Sequence, residues 1–371
     1  MRRRLAQLLV ALAVAAIAVI AVSIGPPRHG TPLWPGARYT REDRDRALRR
    51  GLDFIYHSIA RNPADFSDYG HDLLLAFYNI AVTSADPELS RAAWNMGHES
   101  ALEFRRVFRT VSADEDVYGI QALILGDDMA TRLGVPDPRL HAEICQAAAR
   151  LSVYDHLLFD PRKEPPPADL PELCKKCGRQ NARGATVCER CGTPLKMRDR
   201  YDIYQDALIA TYNAGRAGIS LGASYGDVLR WLPALRPYPP RRPGNDDHYY
   251  AGIYAATHVC YTWNRYSQFR LSPDCFPQEF AYLKANLPEA IRDQDPETMG
   301  EYLDSLRAFG LTLSDPLIRT GFDYLLSVQN PDGSWDDPTS KDVYARYHPT
   351  WTAIDGLRDY RWKVVMPCPA Y

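Results

Sequence analysis

Two short cysteine knuckles carry the most specific chemistry in the chain, Cys-Lys-Lys-Cys-Gly at 174–178 and Cys-Glu-Arg-Cys-Gly at 188–192. Cys174, Cys177, Cys188 and Cys191 are spaced C-x2-C-x10-C-x2-C, the ligand spacing of a zinc ribbon. The glycine after each pair permits the tight turn that aims backbone N–H groups at the sulfurs. Four thiolates complete a tetrahedron around zinc, so the expected metal is structural and has no open position for a substrate. Residues 172–196 are too few to bury a core, and metal binding would supply their folding energy. Two disulfides, or a redox pair, are the alternative, which an oxidising compartment would favour. Lys175, Lys176, Arg179, Arg183 and Arg190 make the segment basic, either as a solvated face or as a docking surface for an acidic protein partner.

A second set of residues becomes chemical only if the fold gathers it. His258, His348, Asp247, Asp116 and Tyr344 are the candidates for catalysis. His71, Asp72, Tyr118, Asp202, Tyr204 and His248, with Asp68 and Tyr69, are the candidates to line a cavity beside them. Carboxylates, imidazoles and phenols converging on one pocket are what general acid–base chemistry on a sugar or an isoprenoid needs. His248, His258 and His348 with one carboxylate would alternatively hold a second metal. Aspartates at helix starts also serve as caps, and tyrosines bond neighbouring helices, so each residue has a structural use as well. Cys145 and Cys260 fall on apolar helix faces and are expected in the core. Cys275 and Cys368 lie in Pro-containing loops and would pair as a disulfide in an exported protein.

The elements that position these residues read almost entirely as helix from residue 42 onward. Asp86-Pro87, Asp137-Pro138, Asp295-Pro296 and Asp315-Pro316 each place a capping carboxylate before a proline that has no N–H to waste. The spacing predicts helices over 42–61, 68–83, 87–108, 115–133, 137–157, 199–217, 224–234, 247–269, 277–293, 296–309, 314–329 and 347–358. Taken in order they pair into about six hairpins. The second members share an opening of acidic residue, Tyr and an apolar run rich in Ala and Gly: DYGHDLLLAFYNIA from 68, DVYGIQALILG from 116, DIYQDALIATYNAG from 202, DHYYAGIYAATHVCY from 247 and DVYARYHPTWTAIDGL from 342. Only 296–309 lacks it. Such a repeat predicts an all-α ring with inner helices around a cavity, an open solenoid being the alternative. The ribbon interrupts the third hairpin, after Pro165-Pro166-Pro167, as an accessory remote from the cavity.

The segment from Gln329 to Trp335, QNPDGSW, has the form QxxxGxW. It resembles the QW repeat of the squalene–hopene cyclase and protein prenyltransferase superfamily. That resemblance implies an α/α toroid of about six helical hairpins, with Gln329, Gly333 and Trp335 as a fold motif and a lipid or isoprenoid ligand. The DxDD acid motif of the cyclases is missing, since Asp127-Asp128, Asp246-Asp247 and Asp336-Asp337 lack its flanks. The GCGEQ thioester sequence of complement-like toroids is missing too. Tyr347-His348-Pro349-Thr350-Trp351 resembles the stretch that carries the zinc-binding histidine of prenyltransferases, but Asp274-Cys275 lacks the intervening residue of its Asp-x-Cys partner.

At the N-terminus, Arg2, Arg3 and Arg4 precede an uncharged run from Leu5 to Ile24 that would span about 30 Å as a helix. The predicted organisation is a transmembrane anchor at 1–24, with a cleaved signal peptide as the alternative, then a Pro/Gly linker at 25–41. The first part of the ring follows at 42–160, the linker and ribbon at 161–198 and the second part at 199–371. The arginines favour a cytoplasmic N-terminus and an extracytoplasmic body, against which Arg28, Arg38 and Arg41 weigh. A net charge of -2 gives no broad basic surface, so nucleic acid is not an expected partner. Three functions fit. The missing acid motif favours a ligand- or protein-binding component of the cell envelope. An enzyme of the terpenoid cyclase or prenyltransferase type would need a deep apolar cavity. A glycan-active α/α-barrel enzyme would need paired carboxylates at an open cleft.

Overall fold

A computed structural model describes residues 30–369, so the expected anchor at 1–24 lies outside the described residues. No helix among the described residues is long and apolar enough to cross a membrane. The chain is mostly helical, in the order α1 (Arg41–Phe54, continued by a π-helical segment Ile55–Ala60), α2 (Pro63–Thr83), α3 (Pro87–Val107), α4 (Val117–Arg132), α5 (Pro138–Ala148) and α6 (Val153–Leu157). Past the cysteine segment come α7 (Arg200–Ala217), α8 (Tyr225–Leu229), α9 (Leu232–Leu235), α10 (Asp246–Trp263), α11 (Pro277–Arg292), α12 (Pro296–Ala308), α13 (Pro316–Val328) and α14 (Tyr344–Leu357). Two short strands, β1 (Phe269–Arg270) and β2 (Lys363–Val365), pair in parallel.

The Asp-Pro starts behave as their chemistry requires. Asp86, Asp137, Asp295 and Asp315 each accept a hydrogen bond from a backbone N–H of the first turn, with proline beside them. Local signals also correct three predicted helices. The span predicted at 137–157 is two helices, because Ser152 and Asp155 form a capping box that starts α6 afresh. The span predicted at 224–234 is likewise broken, into α8 and α9. The span predicted at 247–269 stops at Trp263, after which Arg265, Tyr266 and Ser267 all adopt positive φ before β1.

Packing follows the alternation seen in the sequence. Helix α2 packs on α4, α4 on α7, α7 on α10, α10 on α12, α12 on α14 and α14 again on α2, so the contacts are cyclic. The intervening helices pack outside this set: α3 lies against α2 and α4, α11 against α12, and α1 against α14. Helices α12 and α14 approach backbone to backbone. A Cβ on Gly300 would lie 2.3 Å from the Thr352 carbonyl oxygen, and one on Gly356 would lie 3.0 Å from Gly300 Cα. Missing side chains at this crossing let two backbones touch, and that sets the depth of the groups on either side.

The QxxxGxW segment ties the last outer helix to the first. Gln329 Nε2 donates to the carbonyls of Ala47 (2.9 Å) and Gly333 (3.0 Å), so the amide bonds the middle of α1. Trp335 is fully buried and donates through Nε1 to the Leu325 carbonyl at 2.9 Å. Opposite the mouth of the central cavity, the C-terminal segment crosses the ends of the inner helices. Arg361 N donates to Thr83 O, Lys363 N to Gln268 O and Trp263 Nε1 to Pro367 O. The Cys275–Cys368 disulfide pins its end, the pairing expected of these loops.

Candidate functional site

Two knuckles with the same backbone plan hold the four cysteines. Gly178 N donates to Cys174 O at 2.7 Å and Gly192 N to Cys188 O at 2.8 Å, while Cys174 N and Cys188 N return bonds to Arg179 O and Thr193 O. Gly178 and Gly192 have φ of 69° and 68°, the left-handed conformation in which a side chain would be strained. Sγ of Cys174 lies 3.5 Å from that of Cys191, and Sγ of Cys177 lies 3.6 Å from that of Cys188. All four sulfurs fall within 4.8 Å of one another. A zinc tetrahedron with bonds of about 2.3 Å has edges of about 3.8 Å, so the donor set fits a metal such as zinc. Hydrogen bonds from the Thr193 hydroxyl and backbone favour the Cys191 thiolate, the form a metal requires.

The ribbon is not remote from the cavity. Leu173, Gln180 and Asn181 help line an outer chamber of about 1010 Å³, together with Asp116 and Tyr118 of the α4 start and Tyr69 and His71 of α2. This chamber shares Asp68, Tyr69, His71 and Asp72 with a deeper cavity of about 360 Å³ among the inner helices. The deeper cavity takes His258, His348 and Tyr344 from the predicted set, and adds Glu301, Asp304 and Asp355.

At its wall, Glu301 on α12 faces His348 on α14 across the Gly300 crossing, and Glu297, one turn earlier on α12 and outside the cavity lining, completes the group. Their nearest ligand atoms are all within 4.8 Å of one another. His348 Nδ1 lies 3.2 Å from Glu297 Oε1, stacked on the Tyr344 ring at 4.6 Å with the Trp351 edge at 5.7 Å. Burial by itself would depress the imidazolium, yet the Glu297 carboxylate prevails and lifts His348 to about 9. Glu297, raised by burial but held by His348 and by the Tyr254 hydroxyl, ends below its ordinary range. Glu301 goes the other way. Burial, reinforced by the Glu297 charge, pushes it up to about 8 despite His348 and a 2.6 Å bond from Thr257 Oγ1. His258 is driven down to about 4, mainly by burial. Its Nδ1 is 2.8 Å from the Tyr254 carbonyl, which only accepts, so Nδ1 carries the proton and Nε2 keeps its lone pair.

Deeper still, Asp304 accepts from Ser267 Oγ, and Asp355 pairs with Arg358 Nε at 2.7 Å. Burial raises both carboxyls, and the Asp355 charge raises Asp304 further. Asp72 accepts from the Tyr347 hydroxyl at 2.7 Å. Asn79 and the Asn213 Oδ1 are buried at the cavity wall without a protein hydrogen-bond partner. Polar groups in that condition face a polar guest or water.

Several expected residues lie elsewhere. Asp247 is exposed and pairs with Lys196 near the ribbon neck. His248 is solvent-facing, pairs with Asp199 and packs on Tyr201, so it cannot join His258 and His348 around a second metal. Tyr204 is fully buried in the core. Asp202 lines neither chamber, and burial with the neighbouring Asp199 and Asp206 raises it to about 6. Asp116 caps α4 through Gly119 N and, with Tyr118, reaches only the outer chamber. Glu297, Glu301 and His348 lie close enough together to hold a cation, and in its absence their opposed proton affinities also suit them to moving protons.

Glu297, Glu301 and Asp304 were legible as a carboxylate stripe, since spacings of four and three residues share one helix face. That helix alone lacks the Asp-Tyr opening, which is why the repeat pointed away from it. Comparison with family models, with curated proteins and with solved structures finds no match for this chain.

Proposed function

We propose that the chain is an α/α toroid of the cyclase and prenyltransferase type that acts on a hydroxylated substrate, a glycan, by general acid–base catalysis. The observation that carries this reading is the split pair on α12. Glu301 stays protonated to about pH 8, while Glu297, one turn away on the same helix and paired with His348, is held ionised. Neighbouring carboxyls whose surroundings drive them apart supply an acid and a charge-stabilising base from one site. Glu301 would give its proton to the departing oxygen, and His258 Nε2 would take one from the attacking hydroxyl. Glu297 would balance His348 and the positive charge developing on the ring. The faces of Tyr344, Tyr347 and Trp351 would receive the apolar side of a sugar.

The cyclic packing of six helices supports the toroid, and the four sulfurs support a structural zinc ribbon at the mouth. Bound there, zinc would fix the knuckles and thereby Leu173, Gln180 and Asn181 on the chamber wall. An isoprenoid cavity would be apolar, whereas this one carries Asp72, Glu301, Asp304, Asp355, His258 and His348. A pure binding role gives no reason to bury a carboxyl that is neutral at pH 7. The disulfide supports placing the body in an oxidising compartment, outside the expected anchor.

The test is calorimetric titration with neutral oligosaccharides against farnesyl diphosphate, followed by turnover assays on 4-nitrophenyl glycosides. Glycan binding is expected, with kcat limbs near about 4 and about 8 set by His258 and Glu301. Glu301→Gln should lower kcat by about 10²–10⁴-fold and leave binding intact. Binding of farnesyl diphosphate alone, or turnover indifferent to Glu301→Gln, overturns the reading.

A further inference from the structure

Outside both chambers, the outer wall carries a second arrangement of nucleophile, base and orienting carboxylate. Helix α5 sets His141 and Cys145 one turn apart on the same face, with Cys145 Sγ 3.6 Å from His141 Nε2. Asp127, on α4, closes the relay: its Oδ2 lies 2.7 Å from His141 Nδ1. That carboxylate is 2 % exposed and fixed from its other side by Arg105 Nη1 at 2.7 Å. Arg105 is itself held by the Val135 carbonyl and Thr131 Oγ1. An ionised carboxylate only accepts, so His141 carries its proton on Nδ1 and turns the Nε2 lone pair to the thiol. Glu143, the remaining carboxylate on this helix, is engaged with Arg139 and the Val111 N–H.

The other cysteines have other employment. Cys275 and Cys368 are bonded to each other, Cys260 is fully buried, and the remaining four form the knuckles. Cys145, expected in the core, is instead half-buried beside a histidine whose side chain is 40 % exposed. A small reagent can reach this pair, and a thiol with an oriented base is the recognised form of an activated sulfur nucleophile.

We propose that Cys145, His141 and Asp127 form a modification site at which the Cys145 thiol exchanges with small disulfides. His141 Nε2 takes the thiol proton, and the thiolate attacks one sulfur of R–S–S–R. A Cys145–S–S–R bond forms as the old S–S bond breaks, and the departing RS⁻ recovers the proton from His141. Cys145 is oxidised to the mixed disulfide while the departing half of the supplied disulfide is reduced to a thiol, so no other oxidant is needed, and a reducing thiol reverses the step. Asp127 acts through His141 and is a positioning residue.

The experiment exposes the full, zinc-loaded chain to 2-hydroxyethyl disulfide at pH 7 and follows the adduct on the Cys145 peptide by mass spectrometry. Adduct formation at Cys145 should outpace the same cysteine in urea-unfolded chain by about tenfold or more. His141→Gln keeps a donor for Asp127 but removes the base, and should lower the folded-state rate to the unfolded value. His141→Ala provides the same reading should the glutamine variant misfold, with circular dichroism as the check. Asp127→Asn should slow the reaction in the parent but not in the His141→Gln background, as expected if Asp127 acts only through His141. A folded-state rate no greater than the unfolded one, or one unchanged by both His141 substitutions, overturns the proposal.

Discussion

The ribbon and the inner cavity are two ways of building a polar site, and they differ in where their order comes from. Every ligand atom of the ribbon comes from residues 174–191, and two repeated turns place them. The cavity cluster draws Glu301 from α12, His258 from α10, His348 from α14 and Asp72 from α2, with Glu297 of α12 paired to His348. Its geometry therefore exists only when the inner helices have packed. Charges in the ribbon would be neutralised by a metal, whereas those in the cavity are distributed by burial, one carboxyl kept neutral and the other tied to an imidazolium. A local site is robust to the body, and a packed site is robust to the metal. Each can be broken without the other.

The largest effect should follow removal of the metal. Chelation or Cys174→Ser is expected to release about one equivalent of zinc and forfeit roughly 10 kcal/mol of local folding energy. The knuckles should become susceptible to protease while the far-ultraviolet dichroism of the helices persists. Joint melting of body and ribbon would show that the two are one cooperative unit. The converse experiment is Gly300→Val, whose Cβ would meet the Thr352 carbonyl oxygen at 2.3 Å. Parting α12 from α14 should cost about 3 kcal/mol and lower the melting temperature, with zinc content unchanged. A variant as stable as the parent would mean that the crossing does not set the site.

The smallest effect is electrostatic. Glu301 has its folded-state affinity raised from 4.5 to about 8, so the folded chain keeps a proton that the unfolded chain releases. Stability is then full below about 4.5 and declines as pH rises toward about 8. Glu301→Gln should match the parent near pH 4.5 and then gain on it by roughly 1 kcal/mol for each pH unit climbed toward about 8. Thermal melts across that interval measure it. A gap between variant and parent that stays constant with pH would place the Glu301 carboxyl in water and remove the contrast between the two sites.

Much of the scaffold was legible because its signals are short-range. Asp-Pro starts and knuckle glycines act within one turn of chain, and the helices after Asp86, Asp137, Asp295 and Asp315 begin where those residues say, whereas the helix expected to open at Asp68-Tyr69 starts earlier, at Pro63 behind an Asn62 cap. The candidate site was half legible. His258, His348, Tyr344, His71 and Asp72 reach the cavity, and Asp116 and Tyr118 its outer chamber. Asp247 and His248 do not, because the first turn of α10 projects past the neighbouring helices into solvent, where Lys196 and Asp199 pair with them. Tyr204 shares the Asp-Tyr pattern with Tyr344 but its helix turns it into the core.

The sequence by itself determined the helical class, the helix starts and a four-sulfur site, since each depends on residues that are neighbours in the chain. Only the tertiary structure decided that Glu297 and Glu301 meet His348, that Cys145 lies against His141 rather than in the core, and that the ribbon forms part of the chamber wall. Which carboxyl keeps its proton was decided there too. Proton affinity depends on desolvation and on charges a few ångströms away, and neither quantity exists until distant segments have excluded water together.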